Sequence, residues 1–188
     1  VVQDEVYLNF ENLLPNIEQV CEKLSVPVGV KEVGFGIDGT VAKQLHDVGI
    51  QFIDVAGAGG TSWSQVEKLR SEDPLRVAAA EAFNSWGLPT KDCLVSVRSK
   101  LPSVPLVASG GMKTGLDAAK AITIGADVIG FARALLKAAT ESYEEVIKVM
   151  EQIEFELKMT MFGIGVENIE ALKNTNRVSI MGKSLLDV

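Results

Sequence analysis

The chain has 188 residues, of which 47% are hydrophobic, with 17 glycines, 6 prolines and a formal net charge of −7. That composition provides an ample core, and the negative charge argues against a nucleic-acid surface, so an anionic ligand must be held by local donors. Two cysteines, Cys21 and Cys93, are too few and too far apart for a disulfide framework or a metal site, which fits a reduced, cytoplasmic compartment. No apolar run is long enough to span a membrane, and no signal peptide is visible.

Val1 to Gln3 reads as the end of a strand. Ile17, Val20, Cys21 and Leu24 are spaced for a helix, and Pro27 to Val33 reads as a buried strand followed by the turn Gly34-Phe35-Gly36. Lys31 and Glu32 interrupt that strand. A charge there is costly unless paired or functional, so either Lys31 and Glu32 form a structural pair or the Lys31 ammonium faces a cofactor's polar edge. Asp38 or Thr40 caps the next helix, whose expected apolar face is Val41, Leu45 and Val48. His46, the single histidine, falls at the edge of that face, which removes histidine-based triads and histidine zinc sites and points to cofactor-borne chemistry.

The strand from Phe52 to Ala56 opens into Gly57-Ala58-Gly59-Gly60-Thr61-Ser62-Trp63. Residues 64 to 90 are the least regular, with a helix expected from Pro74 to Trp86, and residues 91 to 100 form another. Trp63 and Trp86 read as packing residues. The run from Val104 to Ala108 breaks at Ser109-Gly110-Gly111-Met112-Lys113, and Leu116, Ala119 and Ile122 then repeat at helical spacing. Glycines between a strand and a helix N-terminus let backbone N–H groups approach an anion, although an ordinary βα turn needing positive φ carries the same residues. A further unit stands at Ala126-Asp127-Val128-Ile129-Gly130-Phe131-Ala132-Arg133. Helices are expected from 133 and from about 142 to 161, the latter with Val146, Val149, Ile153, Leu157 and Met161 on one face, and a short one near Val166 to Lys173.

Repeated βα units with glycine loops at the carboxyl ends of their strands build the site of an α/β barrel. A complete eight-stranded barrel takes about 250 residues. The expectation is therefore one domain over residues 1–188: the second half of a TIM (β/α)8-type barrel, with four or five parallel strands plus C-terminal helices. A half barrel exposes sheet edges, so self-association as a homo-oligomer, or association with the other half, is expected.

Val30-Lys31-Glu32-Val33-Gly34-Phe35-Gly36-Ile37, Asp54 through Trp63, Trp86-Gly87-Leu88-Pro89-Thr90, and Ala108-Ser109-Gly110-Gly111 with Gly115 through Ala121 together resemble the type 2, FMN-dependent isopentenyl-diphosphate isomerases over nearly the whole chain. The resemblance implies conversion of isopentenyl diphosphate to dimethylallyl diphosphate in isoprenoid biosynthesis, with reduced FMN, Mg2+, and NADPH as flavin reductant. It implies that Lys31 and Thr61 contact FMN, with Ala56 standing where some relatives have an FMN-contacting serine. Gly110, Gly111, Met112 and Lys113, with Ala132 and Arg133, match the loops that hold the flavin phosphate. Gln3 matches the catalytic glutamine beside the substrate, and Asp4 stands where the family has a magnesium-ligating glutamate, with Glu5 as the alternative ligand. The alternatives are another FMN barrel oxidoreductase, or a non-catalytic half-barrel that binds phosphate or flavin. If residues 1–188 are the whole molecule, little isomerase activity is expected.

Overall fold

The computed structural model describes residues 9–179. Gln3, Asp4 and Glu5 lie outside them. Among the described residues four strands, β1 (Gly29–Lys31), β2 (Phe52–Asp54), β3 (Leu106–Ala108) and β4 (Val128–Ile129), form one parallel sheet in the order β1-β2-β3-β4. Val30 pairs with Ile53, Ile53 with Leu106 and Val107 with Val128. Sequential parallel order with a helical crossover after every strand is the arrangement of consecutive barrel units.

Helix α1 (Leu13–Lys23) precedes β1, and α2 (Gly39–Asp47) comes after it. Asp38 is the N-cap of α2, its Oδ1 accepting from the N–H groups of Thr40 and Val41 at 2.7 and 2.8 Å. Of the expected face of α2, Leu45 is buried and Val48 half-buried, but Val41 is 44% exposed and Gly39 and Ala42 are buried in its place. The cause is size. A Cβ added at Gly39 would stand 2.8 Å from the Ser96 carbonyl carbon, so α2 presents its small residues where it meets α5 (Thr90–Lys100). Between β2 and α5 lie α3 (Trp63–Arg70), which sequence periodicity did not reveal, and α4 (Pro74–Glu81), shorter than expected.

After β3 comes α6 (Gly115–Thr123), and after β4 comes α7 (Arg133–Ala139). The long α8 (Tyr143–Ile164) ends at Gly165 in the left-handed conformation, and α9 (Ile169–Lys173) closes the described chain. Along α8, Ile153 and Met161 are buried and Val146, Val149 and Leu157 are half-buried, as the spacing predicts. The main core joins Ile50, Ile53, Val55, Leu94, Val97 and Leu106, and a satellite cluster of Ala119, Ile122, Met161 and Leu172 seats α6 on α8 and α9. The expected strand from Pro27 to Val33 is shorter and only half-buried, because β1 is an edge strand among the described residues.

At the amino ends of the strands, Arg98 gathers several backbone carbonyls. Its Nη1 donates to Pro102 and Val104 at 2.7 and 2.9 Å, and its Nη2 to Gly125 and to Asp127 Oδ2 at 2.6 and 2.8 Å. Asp127 also accepts from Leu106 N–H and from Lys173 Nζ. Partial burial raises the Asp127 pKa, but hydrogen bonds from Lys173, Leu106 N–H and Arg98 outweigh it and hold the carboxyl below its ordinary value. This end of the sheet is fastened, which leaves the opposite end for loops.

Candidate active site

The carboxyl ends of all four strands open into one cleft of about 890 Å³, bordered by the three glycine-bearing loops after β2, β3 and β4. That size lies within the roughly 300–1,000 Å³ of small-molecule sites. Lys31, Ala56, Thr61, Gly110, Gly111, Met112, Lys113, Ala132 and Arg133, from four segments of the chain, all border it. Three basic side chains, Lys31, Lys113 and Arg133, face one carboxylate, Asp54, so the cleft favours an anion although the chain is negative overall.

After β1, the Lys31–Glu32 pair, one of the two readings the sequence left open, does not form. Lys31 Nζ donates to the Glu32 backbone carbonyl at 2.7 Å, while Glu32 Oε2 accepts from the N–H groups of Gly34, Phe35 and Gly36 at 2.7, 2.5 and 3.1 Å. Lys31 ends β1 and Glu32 opens the loop after it, and their side chains bond separate backbone groups. Glu32 curls the loop around its own carboxylate, and that loop fixes the backbone carbonyl that receives Lys31.

The loops after β2 and β3 touch backbone to backbone. A Cβ added at Gly110 would stand 2.6 Å from Gly57 N, and one at Gly111 would stand 2.5 Å from the Gly59 carbonyl carbon. Both glycines also have positive φ, 91° and 89°. Their first requirement is therefore loop-to-loop contact as well as access for a ligand. Gly57 N–H donates to the Ser109 carbonyl at 3.1 Å, and the Thr90 hydroxyl donates to the Gly110 carbonyl at 2.6 Å. Leu88 continues the bracing: its N–H donates to Phe35 and its carbonyl accepts from Ala58 N–H, both at 2.8 Å. The segment Leu88-Pro89-Thr90 thus ties the loops after β1, β2 and β3 together.

The N–H groups of Gly110, Gly111 and Met112 take no partner among the described residues. Those just beyond are occupied: Lys113 and Thr114 donate to Asp117 Oδ2, each at 3.1 Å, and Gly115 donates to Glu156 Oε2 at 2.7 Å. Hydrogen bonds from Gln152 and from Gly115 N–H hold the Glu156 carboxyl below its ordinary value. The N-terminus of α6 is thus closed by carboxylates, and Lys113 offers the cleft its ammonium rather than its amide. Across the cleft, α7 starts at Ala132 with no side-chain cap, and the N–H groups of Phe131, Ala132 and Arg133 take no described partner. Free amides on the two loops, beside Lys113 and Arg133, make a site fit for a phosphate.

Other groups stand apart. His46 is exposed on α2 with Nδ1 3.1 Å from the Ile50 carbonyl, and it does not border the cleft. Burial pushes the Cys93 thiol up to about 11, so it stays protonated at neutral pH and is no nucleophile. Both tryptophans, expected to be packing residues, are exposed: Trp86 meets Phe83 edge-on with ring centroids 5.6 Å apart but is 63% exposed, and Trp63 is 48% exposed and borders the cleft. Among the described residues no group of three or more His, Cys, Asp or Glu side chains is placed to hold a metal ion. No helix among them is long and apolar enough to cross a membrane.

A parallel βα array with its ligand cleft at the carboxyl ends of the strands defines one part of an α/β barrel. The chain belongs to the FMN-dependent dehydrogenase family, which it matches over residues 9–179. It is 76% identical to an isopentenyl-diphosphate delta-isomerase of Oceanobacillus iheyensis over 186 residues, covering 99% of this chain and 53% of that protein. It is 49% identical to the isomerase of the same name from Vibrio campbellii, covering 88% of this chain and 49% of that one. The chain thus spans about half the length of these curated relatives. Among solved structures, a putative lactate oxidase of Pediococcus acidilactici superposes with a TM-score of 0.69 at 23% identity, covering 89% of this chain and 41% of its own. A GMP reductase of Trypanosoma brucei gives 0.62 at 20%, covering 87% and 36%. These two likenesses establish the barrel fold.

Proposed function

We propose that the chain supplies the second half of an FMN-dependent isopentenyl-diphosphate isomerase barrel, converting isopentenyl diphosphate to dimethylallyl diphosphate. The observation that carries the reading is the 76% identity, sustained over 99% of the chain, to a relative bearing that name. The cleft supports it, because its size, free amides and basic side chains suit FMN.

In this reading the amides of Gly110, Gly111 and Met112, with those of Phe131 to Arg133, hold the flavin phosphate, and Lys113 and Arg133 add positive charge. Lys31, held at the cleft rim by the Glu32 carbonyl, and Thr61 orient the rest of the cofactor. Reduced FMN held there would supply acid/base chemistry, with NADPH as its reductant. No histidine borders the cleft among the described residues, which favours the isomerase over an oxidoreductase that needs a histidine base. Gln3 beside the substrate and Asp4 as a magnesium ligand complete the proposal, together with a cytoplasmic setting and assembly into an oligomer or with the other barrel half.

The test is turnover of isopentenyl diphosphate by this chain combined with the first barrel half of a relative. Product that depends on reduced FMN and magnesium, and that falls in Gln3→Ala more than flavin binding does, is expected. Oxidation of a 2-hydroxy acid without isomerisation would replace the reading with the oxidoreductase alternative. Flavin binding with neither activity would leave a binding half-barrel.

A further inference from the structure

We propose that Asp54 is the positioning residue of this cleft: its carboxylate holds Ala56 in a left-handed conformation and locks the loop after β2 to the loop after β3 through Ser109. The inference rests on reading the cleft as the flavin site.

Ala56 has φ of 35° and is the single positive-φ residue other than glycine among the described residues. A left-handed alanine is disfavoured by its Cβ and persists where its surroundings over-determine it, often at functional sites. Ala56 is 3% exposed and borders the cleft at the point where β2 becomes its glycine loop. Asp54 Oδ1 accepts from Ala56 N–H at 3.1 Å, an aspartate turn that stabilises this departure from the strand. The same oxygen accepts from the Ser109 hydroxyl at 2.6 Å, and Ser109 is the first residue after β3. One carboxylate oxygen therefore sets both the angle at which the first loop leaves the sheet and its distance from the second.

The course of the backbone beyond Ala56 depends on that angle. Gly57 N–H reaches the Ser109 carbonyl, and Gly59 lies against the Gly110–Gly111 backbone. Thr61 and the free amides of Gly110 to Met112 are placed by the same contact. Asp54 also pairs in register with Lys31, so both side chains rise from one face of the sheet into the cleft. Its Oδ2 takes no described partner, which leaves an acceptor open at the cleft.

The test compares Asp54→Ala, Asp54→Asn and Ser109→Ala in the purified chain. Two measurements are made: FMN affinity by fluorescence quenching, and amide hydrogen exchange of residues 55–61 without flavin. Losing hydrogen bonds to a charged acceptor should weaken FMN binding by about tenfold or more in Asp54→Ala and speed exchange across the loop. Asp54→Asn keeps an oxygen for both donors and should restore most of the affinity and protection. Ser109→Ala, which removes one bond, should fall between, and it decides the matter if Asp54→Ala does not fold. In an Ala56→Gly background, where left-handed backbone carries no Cβ penalty, the effect of Asp54→Ala on exchange should shrink. Unchanged exchange in Asp54→Ala, or no rescue by Asp54→Asn, overturns the proposal. If the unaltered chain takes up no FMN, the functional reading fails instead, and exchange alone decides the role of Asp54.

Discussion

Gly110→Ala should destabilise the chain through its loops, before any ligand is considered. The added Cβ would stand 2.6 Å from Gly57 N and closer still to the Gly57 carbonyl oxygen, so no side-chain rotation relieves it. Restoring contact at about 3.5 Å requires the loops to part by roughly 1 Å. That movement breaks the Thr90–Gly110 and Gly57–Ser109 hydrogen bonds, now 2.6 and 3.1 Å. Two bonds at about 1 kcal/mol each, and about 1–2 kcal/mol for alanine in a left-handed conformation, give about 3–4 kcal/mol. For a chain of this size the midpoint of thermal unfolding should fall by about 6–16 °C. Far-UV circular dichroism without flavin reads this directly. A midpoint within about 2 °C of the unaltered chain would show that the glycines serve ligand access alone and that the loop contact is not structural.

Gly163→Ala is the matched control: nothing lies within 4 Å of its added Cβ in the exposed flank of α8, so a gain of about 0.5–1 kcal/mol is expected from helix propensity, and a loss would contradict the assignment. Arg98→Leu should cost about 2–4 kcal/mol in urea unfolding by stranding the carbonyls of Gly125, Pro102 and Val104; a loss below about 1 kcal/mol would mean water replaces the guanidinium readily. Asp127 binds a proton less readily in the folded chain than its ordinary 3.8, so its stabilisation is present above that pH and is lost as pH falls through the lower folded value. Asp127→Asn should therefore flatten the acid limb of stability below about pH 4, and an unchanged limb would assign it to other carboxylates. Thr114→Ala removes the capping box that Thr114 forms with Asp117 and should cost about 1 kcal/mol by the same unfolding measurement, whereas a neutral result would assign α6 stability to its packing on α8.

The sequence was most legible where two signals coincided. Strand, glycine loop and helix recur in order, so the placing of Gly57 to Thr61, Gly110 to Lys113 and Gly130 to Arg133 at one end of a parallel sheet is a consequence of periodicity and connection rules. Helix α3 was hidden because Trp63 to Arg70 offers only Trp63, Val66 and Leu69 among Ser64, Gln65, Glu67, Lys68 and Arg70, too little apolar contrast for a stripe. The buried face of α2 was obscured because close helix contact selects small residues such as Gly39 and Ala42, while hydrophobicity favours Val41. At the site, Lys31 stood out as a charge in an apolar run. The same signal applies to Asp54, at the end of β2, but the adjoining glycine loop is the stronger signal and masks it. The task of Glu32 was not legible, since a carboxylate that satisfies three following amides looks in sequence like half of an ion pair. The closing of the α6 N-terminus by Glu156, 41 positions away from Gly115, needed the tertiary structure.

The most direct test of the account is a pair of fluorescence titrations of the purified chain, one with FMN and one with riboflavin, which lacks the phosphate. A phosphate held by the free amides of Gly110 to Met112 and Phe131 to Arg133, beside Lys113 and Arg133, predicts FMN binding tighter by at least about tenfold, or about 1.4 kcal/mol. Equal affinity for the two flavins, or binding of neither, would contradict it.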